Sequence, residues 1–279
     1  MTKKSPTLFI ISTPIGNLND ISLRAIDILK LSDFIICENP KHSIKLLNKL
    51  GIKKKLYSLH DYNEERIINK IEKFQKNSTI SLISDAGSPL ISDPGYKLVQ
   101  NFIKNNICVS AVPGPSSVIT SLQLSGFPIN NFAFYGFVPK SSKLTLDLIE
   151  KIKKNAMTGV IFISGKRLKE FLKNLLKNSE NFSVSLCKEL TKVNEAVLRG
   201  NIEKIFEKVE KDEINLKGEF TVVVSLQQQK FKRISNEVIE EIAKLLKKYS
   251  LTEVVKIVHK LTNISKKDIY EKALKIKNE

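Results

Sequence analysis

The segment Leu82-Ile-Ser-Asp-Ala-Gly-Ser-Pro-Leu-Ile-Ser-Asp-Pro-Gly95 constrains the fold of this chain more than any other. An apolar run from Thr79 to Ile83 stops at Ser84-Asp85-Ala86-Gly87-Ser88-Pro89, the pattern of a buried strand that opens into a loop. A helix is expected to begin near Pro94. Two similar units stand beside it in sequence order. Leu8-Phe-Ile-Ile-Ser-Thr-Pro-Ile-Gly-Asn17 reads as a strand followed by a Pro/Gly turn, and Cys108-Val-Ser-Ala-Val-Pro-Gly-Pro-Ser-Ser117 as a strand running into a turn and a helix. Open α/β sheets take ligands at the carboxyl ends of their strands, so three such loops predict one shared rim. Neither a dinucleotide G-x-G-x-x-G nor a P-loop G-x-x-x-x-G-K-[ST] is among them. The rim is therefore a site of another kind or a sheet edge rich in glycine.

The rest of the chain alternates in the manner of α/β layers. Strands are expected near 8–12, 33–38, 79–84, 107–112, 132–136, 158–163, 182–188 and 218–225, with a further one at 193–199 and a mixed second sheet. Helices are expected near 22–31, 41–50, 63–76, 94–105, 115–125, 141–155, 167–178 and 201–210. Gly126-Phe-Pro-Ile-Asn-Asn131 links two α/β domains, 1–126 and 127–229, and the polar Gln227-Gln-Gln-Lys230 ends the second. Residues 230–279 return to a helical period, with Asn263-Ile-Ser-Lys266 as a turn and Ser265 as the cap of the last helix. Such a helical module is compatible with helix-turn-helix nucleic-acid binding and equally with packing on the core or on a second subunit.

At 279 residues the chain can bury two cores, and no apolar run approaches the roughly 20 residues that span a bilayer. Met1-Thr-Lys-Lys-Ser-Pro6 has no cleavage-site pattern of a signal peptide. Cys37, Cys108 and Cys187 lack metal-ligand spacing and sit in apolar segments, so buried reduced thiols in a cytoplasmic protein are expected. No metal site is expected. The formal charge of +17 favours a polyanionic partner. The excess is almost all lysine, since only Arg24, Arg66, Arg167, Arg199 and Arg233 are arginines.

Thr13-Pro-Ile-Gly-Asn17, Ser84 to Tyr96 and Pro113-Gly-Pro-Ser116 resemble blocks of the tetrapyrrole-methylase superfamily of methyltransferases. Ser125-Gly-Phe-Pro128, Phe134-Tyr-Gly-Phe-Val-Pro-Lys140, Lys188-Glu-Leu-Thr-Lys192 and Lys217 to Val224 extend the likeness. Within that superfamily the chain resembles the 16S rRNA cytidine-2′-O-methyltransferases over about residues 7 to 226. The resemblance implies S-adenosylmethionine (SAM) as donor, two α/β domains with SAM in the cleft between them, a small C-terminal helical module, small-subunit rRNA or the assembled small subunit as partner, and a homodimer. Carried residue by residue, it assigns SAM to Pro14 and Gly16 in the first loop and to Asp85, Ala86, Gly87, Ser88, Pro89 and Asp93 in the second. Ser116 and Ser117 complete that rim, and Phe162, Ile163, Leu190, Phe220 and Thr221 close over the nucleoside from the second domain. Glu38, Asn39, Lys41, Asn63 and Arg167 fall to the substrate.

Two departures stand out. Relatives commonly read Glu-Asp-Thr-Arg where this chain has Glu38-Asn39-Pro40-Lys41, and Glu-Ser-Pro-His-Arg where it has Ile163-Ser164-Gly165-Lys166-Arg167. Asn39 cannot act as a base, and Lys41 lacks the fork that arginine offers phosphate. The acid–base groups left near the rim are Glu38, His60, Glu64, Asp85, Lys188 and Glu189. Of these Lys188, Glu189 and His60 are assigned to chemistry. The leading expectation is 2′-O-methylation of a cytidine in the decoding region of small-subunit rRNA. The alternatives are a methyltransferase for a tetrapyrrole or other small molecule, and a non-catalytic RNA-binding assembly factor.

Overall fold

The computed structural model describes residues 7–75, 78–155, 157–178, 181–226, 234–262 and 264–278. The N-terminal hexapeptide, the expected helix end at 76, the 227–230 boundary and Asn263 lie outside the described residues. The chain divides into two compact units, Met1–Leu226 and Gln227–Glu279.

The first half of the larger unit runs β1 (Thr7–Ile11), α1 (Leu23–Leu31), β2 (Phe34–Cys37), α2 (Pro40–Lys49), β3 (Lys55–Ser58), α3 (Glu64–Gln75), β4 (Thr79–Ile83), α4 (Tyr96–Lys104), β5 (Cys108–Val112) and α5 (Ser117–Ser125). Its five strands are parallel, in the order β3-β2-β4-β1-β5. A parallel sheet must be covered on both faces, and its central strands then read as continuous apolar runs. Every residue of β2 and β4 is buried accordingly. On one face Ala25 and Leu29 of α1 and Leu47 of α2 pack on Ile11, Ile35 and Ile83. On the other, Ile71 of α3 with Leu98 and Phe102 of α4 packs on Leu8, Ile36 and Leu82. From β1 the chain passes over one face to β2, and from β4 over the other face to β5. Adjacent strands whose connections diverge leave a crevice at their carboxyl ends, and here that crevice lies between β1 and β4.

The second half runs β6 (Phe132–Phe137), α6 (Ser142–Asn155), β7 (Thr158–Ser164), α7 (Gly165–Asn178), β8 (Phe182–Lys188), β9 (Ala196–Asn201), α8 (Ile202–Glu210) and β10 (Glu219–Leu226). The order is β6-β7-β10-β8-β9. Only β6 and β7 are parallel, so this sheet is mixed as expected. Helices α6, α7 and α8 cover one face around Ile149, Phe171, Leu172 and Ile205. The other face receives α5, whose Val118 and Leu122 pack on Val160 and Val223. Since α5 continues directly from β5, this one helix belongs to both halves. Ile15 of the first loop, packed with Cys187 and Leu190, closes a second seam between them.

Among the described residues the smaller unit contains three helices, α9 (Asn236–Leu246), α10 (Leu251–Thr262) and α11 (Lys266–Asn278). They share a core of Ile242, Val254, Val258, Ile264 and Ile269. Ser265 caps α11, accepting from the Asp268 amide at 3.0 Å. Lys247, Lys248, Lys256, Lys260, Lys266 and Lys267 are exposed.

Four sequence expectations change. β3 has no counterpart among the expected strands, because a four-residue edge strand with an exposed lysine carries little periodic signal. The helix expected at 94 starts at Tyr96, because Gly95 at φ 128° acts as its N-cap. The strand expected at 193–199 is β9, displaced to Ala196–Asn201. Cys108 is exposed, unlike buried Cys37 and Cys187, because it opens the edge strand β5.

The start of α4 depends on a residue far from it in sequence. Gly95 offers no side chain to the free amides of the first turn. Glu64, buried at the start of α3, takes their place: its carboxylate accepts from the amides of Gly95 at 3.0 Å and Leu98 at 3.2 Å. Glu64 is thus a cap for a distant helix and not a free acid–base group. Glu64→Ala leaves two amides unpaired and is expected to cost about 1–3 kcal/mol in urea denaturation. Glu64→Gln, which keeps an acceptor oxygen, is expected to cost less.

Candidate active site

The crevice is built by tying the strand-end loops together. Thr13 and Gly87 exchange both backbone hydrogen bonds, at 2.8 and 3.0 Å, an isolated bridge beyond the ends of β1 and β4. The Thr13 hydroxyl also donates to the Ser84 carbonyl at 3.2 Å, and the Ser12 and Ser88 hydroxyls meet at 2.9 Å. Gly87 sits at φ +80°, and a Cβ there would stand 3.3 Å from Ile15 Cγ2. Leu90 and Ser92 also have positive φ, as do Glu189 and Thr191 in the loop after β8. Non-glycine residues held in this region carry strain, which concentrates at ligand sites.

Against this rim the second sheet sets an apolar wall, enclosing a cavity of about 480 Å³. Ile15, Ala86 and Ser117 line it from the first half, and Phe162, Ile163, Leu190, Phe220 and Thr221 from the second. Phe162 is fixed by edge-on contacts with Phe134 and Phe137, with centroids at 4.9 and 5.3 Å. A second pocket of about 280 Å³ shares Ala86, Ser117, Phe137 and Phe162 with the first, and carries Glu38, Asp85 and Asp93. A third, of about 370 Å³, shares Ile15 and Ala86 with the first, and is lined on its outer side by His42, Lys45, Lys49 and Lys192. Three linked spaces thus differ in chemistry: apolar, acidic and basic.

The acidic pocket shifts its own carboxyls. Burial, countered by a hydrogen bond from Ser84 and reinforced by Glu38 and Asp85, pushes Asp93 up to about 6. Glu38 is also raised, by burial first and then by Asp85 and Asp61. Asp85 accepts from the Asn39 amide at 3.2 Å. Glu189 moves the other way. Its carboxylate accepts from the Glu219 amide at 2.8 Å and pairs with Lys192 at 3.2 Å, which holds it below the usual range.

Most of the residues expected at the site meet here. Pro14 and Gly16 line the basic pocket; Gly87, Ser88 and Ser116 line the acidic one; Asp85 touches both. Pro89 lines none of the three. Asn39 caps α2, accepting from the Lys41 amide at 3.1 Å, and Lys41 itself is exposed on that first turn. Asn63 and His60 bond to each other at 2.9 Å in an exposed turn and line none of the pockets. Arg167 does line the large cavity, but its guanidinium donates to the carbonyls of Val138 and Pro139. Lys188 lies in a further, open pocket of about 750 Å³ that shares Glu189 and Gly218 with the first, its ammonium 5.9 Å from the centre of the Phe220 ring. Sequence reasoning missed Phe137, Lys140 and Glu219, and read only the backbone of Ile15 into the rim. The block Phe134 to Lys140 carries a signal for two of the three, because its match to the family spans both Phe137 and Lys140.

Gly87→Val introduces a branched side chain at a positive φ and beside Ile15. It is expected to cost about 1–3 kcal/mol of stability, seen as a lower urea midpoint, and to weaken SAM binding in titration calorimetry of the folded fraction. Unchanged SAM affinity would take this loop out of the donor site.

Comparison with known proteins agrees with this architecture. Residues 7–205 match the family described as Tetrapyrrole (Corrin/Porphyrin) Methylases. The chain is 41% identical over 219 residues to a ribosomal RNA small subunit methyltransferase I of Halalkalibacterium halodurans, covering 78% of this chain and 75% of that protein. It is 35% identical over 282 residues to the protein of the same name in Buchnera aphidicola subsp. Schizaphis graminum, covering 99% and 98%. That of a Hydrogenobaculum species is 39% identical over 220 residues, which are 78% of this chain but 95% of that protein. Among solved structures it is similar to a diphthine synthase, with TM-score 0.60 at 14% identity over 78% of this chain and 89% of that one. It is also similar to uroporphyrin-III-C-methyltransferase from Thermus thermophilus, with TM-score 0.53 at 16% identity over 79% and 94%. Those two likenesses speak to the fold alone. With the family model matched over residues 7–205 and relatives 35–41% identical over most of its length, this chain belongs to the ribosomal RNA small subunit methyltransferase I family of the tetrapyrrole methylases.

Proposed function

We propose that this protein transfers the methyl group of SAM to the ribose 2′-hydroxyl of a cytidine in the decoding region of small-subunit rRNA, as a cytoplasmic homodimer. The observation that carries the reading is the junction of three pockets of different chemistry at one crevice. SAM is a nucleoside with a cationic sulfonium. The large cavity suits its adenosine with the apolar surfaces of Ile163, Leu190 and Phe220, and the carboxylates of the next pocket suit the positive end. SAM supplies a methyl group that is already activated for transfer. What the chain must add is alignment, exclusion of water and a place for the hydroxyl proton.

The lysine-lined third pocket supports an RNA acceptor, since phosphates are drawn to Lys45, Lys49 and Lys192. A small uncharged acceptor would have no use for them. Within the acidic pocket Asp93 suits the proton best. A carboxyl pushed up to about 6 is ionised at neutral pH yet still basic enough to accept a proton. Glu189 is held ionised by its partners and is a weak base, while His60 lines none of the pockets and Lys188 lines the one beyond Glu189 and Gly218, not the acidic one. Bound SAM would supply the methyl group to the 2′-oxygen, its carbon–sulfur bond being the one given up, and Asp93 would take the hydroxyl proton.

The test is methyl transfer from labelled SAM to small subunits purified without this modification. A ribose 2′-O-methyl leaves an alkali-resistant dinucleotide, because the 2′-oxygen can no longer attack the adjacent phosphodiester. Label released by alkali as mononucleotide would refute ribose methylation. The rate is expected to rise as pH rises through about 6, where Asp93 loses its proton. Asp93→Asn should flatten that rise and lower kcat by about 10²-fold or more. Lys188→Ala should lower it less. The sign for stability is opposite. A carboxyl with a raised folded pKa gives up stability as pH rises through that pKa, so Asp93→Asn should be no less stable than the parent at pH 8.

The helical unit, with its own core and exposed lysines, is read as added RNA affinity and not as part of the chemistry. Removing residues 230–279 should leave SAM affinity unchanged and weaken binding to small subunits. The salt dependence of that binding should become shallower, by about one unit of slope for each phosphate that is no longer neutralised.

A further inference from the structure

Phe137 is an exposed aromatic at the meeting of the large and acidic pockets, with 64% of its surface open. Its position is the product of a bulge. Along β6 and β7 the partners are Phe134 with Val160 and then Phe137 with Phe162, so β6 uses three residues where β7 uses two. Side chains on a strand alternate faces, and one extra residue inverts the alternation beyond it. Without the bulge Phe137 would share the face of Tyr135, which packs toward α6 and α7. With it, Phe137 joins Phe134 and Phe162 on the face toward the crevice. Gly136 supplies the φ of +69° that the bulge demands. The result is an apolar ring turned out of the core, braced edge-on against Phe162 at 5.3 Å and 62°. Core packing gains little from a ring so exposed.

The surroundings say what would lie on it. The pocket beside the ring carries Glu38, Asp85 and Asp93, which repel phosphate and accept hydrogen bonds from exocyclic amines. Lys45, Lys49 and Lys192 line the other pocket. A nucleobase therefore suits this space and the RNA backbone suits that one. We propose that Phe137 is the platform on which the base of the target nucleotide stacks, holding it beside the donor so that its ribose faces the methyl group. The inference rests on the RNA methyl-transfer reading above and extends it to a specificity residue which that reading does not require.

The experiment compares Phe137→Ala, Phe137→Leu, Phe137→Tyr and Phe137→Trp in the full chain, measuring kcat/KM for small subunits and SAM affinity by calorimetry. Loss of one base–aromatic stack is expected to lower kcat/KM by about 5- to 150-fold in the Ala and Leu variants. The Tyr and Trp variants should stay near the parent, and because the ring also borders the donor cavity and braces Phe162, SAM affinity in the Ala and Leu variants should fall by much less than kcat/KM. Because the ring is exposed, none of these changes opens a hole in the core, and SAM binding reports the folded state. A Leu variant as active as the parent would mean that bulk suffices and would overturn stacking. A fall in SAM affinity that matches the fall in rate would place the ring in the donor site and also overturn it. If the parent itself fails to methylate small subunits, the underlying reading fails and the platform falls with it; if the parent is active and all four variants equal it, the platform alone is wrong.

Discussion

The pair of backbone hydrogen bonds between Thr13 and Gly87 is the contact on which the rest of the site depends. It joins the loops of two adjacent parallel strands after their ladder has ended, where the chain would otherwise diverge to opposite faces of the sheet. Once those loops are tied, Ile15 is directed into the second sheet, against Cys187 and Leu190. That contact and α5 set the two halves facing each other across a cavity. The strain of the positive φ values at Leu90, Ser92, Glu189 and Thr191 is tolerated because both sides of the crevice are over-determined by hydrogen bonds.

Charge is sorted across the same crevice. Carboxylates stand over the carboxyl end of β4 and β2, where burial and mutual repulsion raise Glu38 and Asp93. Lysines stand on α2 and on the loop after β8. Glu189, in the same loop as Lys192, is lowered because an amide and Lys192 both satisfy it. Acids lining one crevice are thereby given opposite tendencies by their partners. Asn39, where relatives commonly have an acid, keeps the geometry by capping α2 and donating its amide to Asp85.

Much of this was legible in the residues. The apolar run at Thr79–Ile83 announces a buried strand, and the Pro/Gly loops after it and after the runs beginning at Leu8 and Cys108 announce a shared rim. Gly87, Ser88, Ser116 and Ser117 follow from that pattern. Ser265 is readable as a cap because capping is a local hydrogen bond. What escaped depends on partners remote in sequence. Glu64 looks like a free acid until α4 is seen to take its oxygens, and Cys108 looks buried until β5 proves to be an edge.

The sequence by itself determined the periodicities, the turns and the chemical types at the strand ends, because these depend on neighbours within a few residues. Only the tertiary structure decided which of those types share a cavity. Lys188 reads from its motif as an acid–base group and Asp93 as a donor contact, yet Asp93 lines the acidic pocket with Glu38 and Asp85 while Lys188 lines the pocket beyond Glu189 and Gly218. Phe137 turns toward the crevice through a single extra residue in β6. Whether a side chain is buried, paired or left facing a ligand depends on strands brought together from across the chain, and no local pattern contains that information.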